Sequence, residues 1–171
     1  MKPSEIYART VPLGVLHSEK PKIAIVLGGM GLNEKLTREA TTSLPGDITF
    51  AFAPYGSTLQ DQVDKARAEG HEVLLQLPME PIGYPINNPG PRTLLAEADA
   101  VTNLESLRWH MSRFAGYTGV INYLGGRMLA SGPALQPVLS EIQKRGLLYL
   151  EDGTSTLTAS QEIAKKLKLA N

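Results

Sequence analysis

The chain has 171 residues, enough for one domain with a sizeable core, and its 17 lysines and arginines balance its 17 aspartates and glutamates. A formal charge of zero gives no field to draw in a phosphate backbone or anionic lipid, which excludes nucleic acid as the expected partner. With no cysteine, disulfides, thiol catalysis and cysteine-ligated zinc are excluded, and no run approaches the roughly 18 apolar residues of a membrane span.

Residues 1–21 are polar and punctuated by proline, and they read as an extended surface arm ahead of one domain over residues 22–171. The opening MKPSEIYARTVPLG has no apolar signal-peptide core, and a leader encoded upstream would lie outside these residues. Residues 23–27 (IAIVL) form a continuous apolar run closed by Gly28 and Gly29, the pattern of a strand buried on both faces of a parallel sheet. Asn33 can cap a helix with Leu36, Ala40 and Leu44 on one face, and Pro45 and Gly46 stop it. The unit then repeats: residues 48–53 are a second strand, and Ser57 caps a helix with Leu59, Val63 and Ala66 inward and Gly70 at a left-handed stop.

A third strand over residues 73–77 leads into the most distinctive stretch. Here Pro78, Pro81, Pro85, Pro89 and Pro91 account for five of the twelve prolines. Long loops inside a domain are usually functional or disordered, and Met79, Ile82, Tyr84 and Ile86 argue against a solvated linker. Each proline fixes its own φ and biases the preceding residue toward extended backbone, so the loop reads as a preformed wall of a site.

Beyond it, Thr102 and Glu105 offer a capping box for a helix with Leu104, Leu107, Met111 and Phe114 as its stripe. Residues 119–123 (GVINY) are a fourth strand. Residues 131–145 are a helix with Leu135, Val138, Leu139 and Ile142 inward, in which Pro137 marks a kink or the true start. Residues 147–150 are a fifth strand, and Thr158 with Gln161 caps a last helix carrying Ile163 and Leu167. Five βα units at intervals of about 25 residues, apart from the long loop, imply an α/β fold with a parallel sheet or barrel and right-handed crossovers.

In such folds ligands bind at the carboxyl ends of the strands, which here carry Gly28 and Gly29, Pro54 and Tyr55, residues 76–80, residues 122–127, and Glu151 with Asp152. A dinucleotide site fails on spacing: counting from Gly28, the third and sixth places of G-x-G-x-x-G are Met30 and Asn33, so the glycines read as a tight turn. Gly125-Gly126-Arg127 lacks the Lys-Ser/Thr pair of a P-loop. His17, His71 and His110 all fall away from strand ends, which argues against an ordinary zinc hydrolase. Glu80, Glu151 and Asp152 are candidates for a Mg²⁺ or Ca²⁺ site or an acid–base pair; equally, they can cap helices and accept loop amides. Tyr55, Tyr84 and Tyr123 either hold sugar rings or pack the loop, and Arg127 either clamps an anion or partners a carboxylate.

Taken together, LLQLPMEPIGYPINNPGPRTLL, GVINYLGGRML and RGLLYLEDGT resemble the divergent polysaccharide deacetylases, a branch of the carbohydrate deacetylases with a NodB-like deformed (β/α) barrel. The likeness runs from Lys22 to about Leu169. It implies metal-dependent hydrolysis of an N-acetyl group on an amino-sugar polymer, in the cell envelope or periplasm, with a divalent metal such as zinc lowering the pKa of a bound water. It also implies acidic or histidine ligands where this chain has Gly28, Gly29, Gln76 and Tyr123, and an aspartate where it has Glu151. Glycine offers no donor, a neutral amide is a weak one, and a phenol must first lose its proton.

The leading expectation is therefore a degenerate deacetylase domain that binds glycan through Gln76, Glu80, Tyr84, Asn122, Tyr123 and Arg127, without a metal or other cofactor. The alternatives are an active hydrolase rebuilt around Glu80, Glu151 and Asp152, and a non-catalytic envelope scaffold. Five units cannot close a barrel of this type. An exposed strand edge is expected, covered by a second copy of the chain or by further polypeptide after Asn171.

Overall fold

The computed structural model describes residues 1–170. Its five strands are β1 (Val26–Met30), β2 (Thr49–Phe52), β3 (Val73–Met79), β4 (Gly119–Leu124) and β5 (Leu148–Leu150). All neighbouring pairs are parallel and the sheet order is the chain order, β1-β2-β3-β4-β5. Successive right-handed crossovers that never reverse direction put every connecting helix on the same side, the arrangement of a barrel arc rather than a doubly wound sheet.

Those helices are α3 (Glu34–Ser43), α4 (Leu59–Ala68), α5 (Ala100–Met111), the short α6 (Gly126–Ala130), α7 (Gly132–Lys144) and α8 (Ser160–Leu167). Side-chain alternation along the strands divides the apolar residues accordingly. Phe50, Phe52, Leu75, Leu77, Val120 and Tyr149 join the helix residues in one large buried cluster. Each such fully buried side chain contributes about 1.5–3 kcal/mol. Among the described residues the buried apolar cluster of the opposite face holds only Ala51, Leu74 and Ile121 with Val26, Leu148 and Leu150 packed against them, and no helix residue joins them.

Several local expectations are corrected. β1 starts three residues later than the apolar run and continues through Gly28 and Gly29. Ile23 and Ile25 are 88 % and 55 % exposed, because β1 is an edge strand with a neighbour on one side only. The register changes between Leu27 and Met30, where Gly29 takes φ +74°, so the glycines form an irregularity inside the strand rather than its end. In α3, Asn33 does cap, accepting from the Leu36 N–H, but Leu36 is exposed and the buried positions are Thr37 and Thr41. The α4 N-cap is Thr58, not Ser57, and Asp99 replaces Thr102 as the cap of α5 by accepting the Thr102 N–H. The helix continues through Pro137, and α8 begins at Ser160, whose N–H is taken by the Thr158 hydroxyl.

The lead-in is not wholly extended. It makes two single helical turns, α1 (Pro3–Ile6) and α2 (Leu13–Leu16), and lies across the rim where the strands begin. Arg67 donates to the Tyr7 carbonyl and stacks over the Tyr7 ring, Ser4 N–H donates to Gly146, and Arg9 reaches Glu72 and Asp47. His71 sits on that same rim, buried and stacked on Phe50, with its ring nitrogens at the carbonyls of Ile48 and Thr41.

Candidate functional site

At the opposite rim, Gln76 and the glycine pair form one unit. The Gln76 Oε1 accepts the Gly29 N–H at 2.7 Å, and a Cβ on Gly28 would lie 2.8 Å from the Gln76 Nε2. The amide therefore lies across the bare backbone of β1, in the space that a side chain at position 28 would need.

The proline loop supplies the facing wall. β3 runs two residues further than expected, through Pro78 and Met79, because the loop returns beside it: Leu94 N–H donates to the Pro78 carbonyl and Glu80 N–H to the Leu94 carbonyl. Tyr55 follows β2, donates its hydroxyl to the Pro91 carbonyl at 2.8 Å, and packs so closely under Gly90 that a Cβ there would be 2.6 Å from the ring. Burial pushes the Tyr55 phenol up to about 12, so it remains a neutral donor at ordinary pH. Between these walls is a largely apolar cavity of about 210 Å³, reached by Gly29, Leu32, Tyr55, Gln76, Pro89 and Tyr123. A second cavity of about 340 Å³ opens on the uncovered face of the sheet and shares Gln76 and Tyr123 with the first. A larger cavity, about 420 Å³, lies between α3 and α4 among threonines and charges of both signs, on the other side of the sheet.

The carboxylates do not converge. Glu80 is 4 % exposed, with Oε2 taking the Ala96 N–H and Oε1 taking Arg127 at 3.0 Å; its backbone carbonyl receives the first N–H groups of α6. Arg127 also pairs with Glu97. Glu80 thus ties the end of the proline loop to α6. Glu151 accepts the hydroxyls of Thr158 and Ser160 at the start of α8, and Asp152 accepts the N–H and hydroxyl of Thr154 in a local turn. Asn122, 1 % exposed, receives the Asp152 N–H and donates to the Leu124 carbonyl, joining the ends of β4 and β5. Tyr84 is half-buried in the outer turn of the loop, and Ile82 and Ile86 are exposed, so only part of the loop's apolar content packs inward.

These residues do not fit a divalent cation. The glycines offer no side-chain ligand, the Gln76 oxygen is engaged by Gly29, Glu80 is spent on the Ala96 N–H and Arg127, and Glu151 on the hydroxyls of Thr158 and Ser160. Among the described residues no three histidine, cysteine, aspartate or glutamate side chains are grouped to hold a metal ion. No helix among them is long and apolar enough to cross a membrane. Sequence reasoning favoured the polar strand-end residues. The apolar lining from Pro89 and Gly90 was signalled only by the proline-glycine content of the loop, and that from Leu32, which follows β1, by no signal in the sequence.

A parallel five-stranded sheet backed by alternating helices, with its cavity at the strand ends, defines an α/β protein of the NodB-like type. The chain belongs to the divergent polysaccharide deacetylase family, whose model matches residues 25–171. It is similar to the crystal structure of an uncharacterized protein, ATU2773, from Agrobacterium tumefaciens C58, with 46 % identity and a TM-score of 0.93 over 99 % of this chain and 68 % of that one. It also resembles the uncharacterized protein YibQ of Escherichia coli K12, at 25 % identity over 84 % of this chain and 44 % of YibQ. An uncharacterized protein of Haemophilus influenzae is 23 % identical, over 85 % of this chain and 51 % of that protein. The chain spans about half the length of these curated relatives. Family membership supports a carbohydrate-related function.

Proposed function

We propose that this domain binds an amino-sugar polymer at the strand-end cavity without hydrolysing it. The observation that carries this reading is the interlocked glycine and glutamine: Gln76 spans Gly28 and is hydrogen-bonded to Gly29, so the position from which a ligand would reach a metal is filled by a neutral amide. Tyr55, Tyr123 and the prolines leave a stiff, mostly apolar slot with a few polar groups, suited to the face of a sugar ring. The alternative of a hydrolase rebuilt on Glu80, Glu151 and Asp152 is disfavoured, because each of these carboxylates serves a different backbone element. The proposal includes an envelope or periplasmic location, where such polymers are found, and fractionation of cells tests it.

The test is titration with chitooligosaccharides, read by calorimetry and by the single tryptophan, Trp109, whose ring centroid is 6.4 Å from that of Tyr55. Acetate release is assayed alongside, with and without added zinc. Saturable binding without acetate release is expected. Zinc-dependent acetate release would overturn the reading. Glu80→Gln then separates chemistry from architecture: it should lower stability by about 2 kcal/mol, since it weakens a pairing between a buried carboxylate and a half-exposed arginine. Loss of acetate release in a fully stable Glu80→Gln protein would identify Glu80 as catalytic instead.

A further inference from the structure

On the outer side of the proline loop, two arginines share one tryptophan. The Arg92 guanidinium carbon is 5.3 Å and that of Arg113 is 5.1 Å from the centre of the Trp109 ring. Arg9, Arg108, Arg127 and Arg145 each pair with a carboxylate, whereas neither Arg92 nor Arg113 has one within 4.0 Å among the described residues. Asp61 lines the same shallow depression as Arg113 but lies beyond that distance. Both arginine side chains are exposed and Trp109 is half-buried. Their separation is at most about 10 Å, roughly the Debye length at 0.1 M salt, so at low to moderate salt the two charges repel unless an anion lies between or beside them.

The backbone holds this cluster in place. Arg92 has φ +58°, a left-handed conformation disfavoured for a non-glycine residue, and its carbonyl is fixed by the ring nitrogen Nε2 of the buried His110 at 2.9 Å. Arg113 donates Nε to the Pro54 carbonyl at 3.1 Å and Nη2 to the Gly56 carbonyl at 3.5 Å, beside Tyr55. A guanidinium over a ring can still use its remaining N–H groups on a carboxylate or phosphate, and for Arg113 these are on Nη1, since Nε and Nη2 face protein carbonyls. Tyr55 belongs both to this cluster, through its contact with Trp109, and to the strand-end cavity.

We propose that Arg92, Trp109 and Arg113 form an outer subsite for an anionic substituent, a carboxylate or phosphate, on the sugar polymer whose neighbouring ring occupies the strand-end cavity. This rests on the glycan-binding reading above and adds that the polymer is acidic. A zero formal charge for the whole chain makes a general polyanion patch a poorer fit than a local site tied to a sugar pocket.

The experiment compares chitohexaose, which is neutral, with a hyaluronan hexasaccharide, which alternates the same N-acetylated sugar with a carboxylated one. Calorimetry gives both affinities, and Trp109 fluorescence reports engagement of the subsite. Hyaluronan should bind about tenfold more tightly at low salt, and the preference should shrink as salt rises. The double variant Arg92→Ala/Arg113→Ala should bind both oligosaccharides equally, with chitohexaose affinity unchanged, while Arg92→Lys/Arg113→Lys keeps the charge and retains part of the preference. Equal affinities in the native protein, or a preference that survives the double alanine variant, would overturn the subsite and leave the glycan reading standing. Binding of neither oligosaccharide defeats both. A single-stranded oligothymidylate binding as tightly as hyaluronan would mark a general polyanion surface and also overturn the proposal.

Discussion

On one face of the sheet the strands present Phe50, Phe52, Leu75, Leu77, Val120 and Tyr149 to six helices; on the other a small buried cluster of Ala51, Leu74 and Ile121 lies beside Gln76 and Tyr123, which line an open cavity. The same backbone carries both sets, because successive side chains on a strand point to opposite sides. The contrast assigns stability to the first face, and the proposed function places recognition on the second.

The largest effect that tests this division is Leu75→Ala, at a fully buried position in the middle of β3. It should cost about 3 kcal/mol or more, measured as a shift of the urea midpoint at unchanged slope. Gln76→Ala, one residue further along, removes a single hydrogen bond to Gly29 and should cost about 1 kcal/mol. Comparable losses from the two would break the assignment of stability to the helix-covered face.

Next in size is a pH effect from the loop side of the helical layer. His110 is fully buried, and burial together with the nearby Arg92 charge lowers its pKa from 6.5 to about 4, although its bond to the Arg92 carbonyl favours the charged form. The unfolded chain binds this proton more readily than the folded one. The contribution is therefore fully present above about pH 6.5 and falls as the pH drops toward 4, by roughly 3 kcal/mol. Unfolding free energies of the native protein between these limits should show that slope, and His110→Gln should flatten it. An equal slope in the variant would mean that a group other than His110 takes up the proton.

The alternation of apolar strands with capped helices made the α/β class, the strand count and their parallel order legible in the sequence, because each βα unit is a local pattern repeated at a regular interval. The edge position of β1 was not legible: IAIVL reads as a doubly buried strand, and only the sheet order shows that Ile23 and Ile25 lack a covering layer. The fate of the carboxylates was legible only in kind. Glu80, Glu151 and Asp152 fall at strand ends and take up the loop amide and helix-start roles open to them, but spacing did not show which groups they meet, Ala96 and Arg127 for Glu80, Thr158 and Ser160 for Glu151, and Thr154 for Asp152. The Arg92–Trp109–Arg113 cluster joins a loop to both ends of one turn of chain, and spacing alone does not show that both cations meet the same ring.

The smallest stability effect belongs to Tyr123, and it is the sharpest probe of the open face. This tyrosine is 44 % exposed, stands on β4 opposite Pro78 of β3, and reaches both the strand-end cavity and the cavity on the uncovered face. Truncation removes contacts of a side chain outside the buried core clusters, so Tyr123→Ala should change the unfolding free energy by no more than about 1 kcal/mol. If a sugar ring lies against the phenol, the same change should weaken chitooligosaccharide binding by about fivefold to tenfold, the range of one aromatic contact. Tyr123→Phe keeps the ring and loses the hydroxyl, so it should recover most of the affinity if stacking dominates and little of it if the hydroxyl donates to the sugar. Unchanged binding in both variants would move the ligand away from the open face and leave Tyr55 and the proline loop as the only aromatic wall of the site.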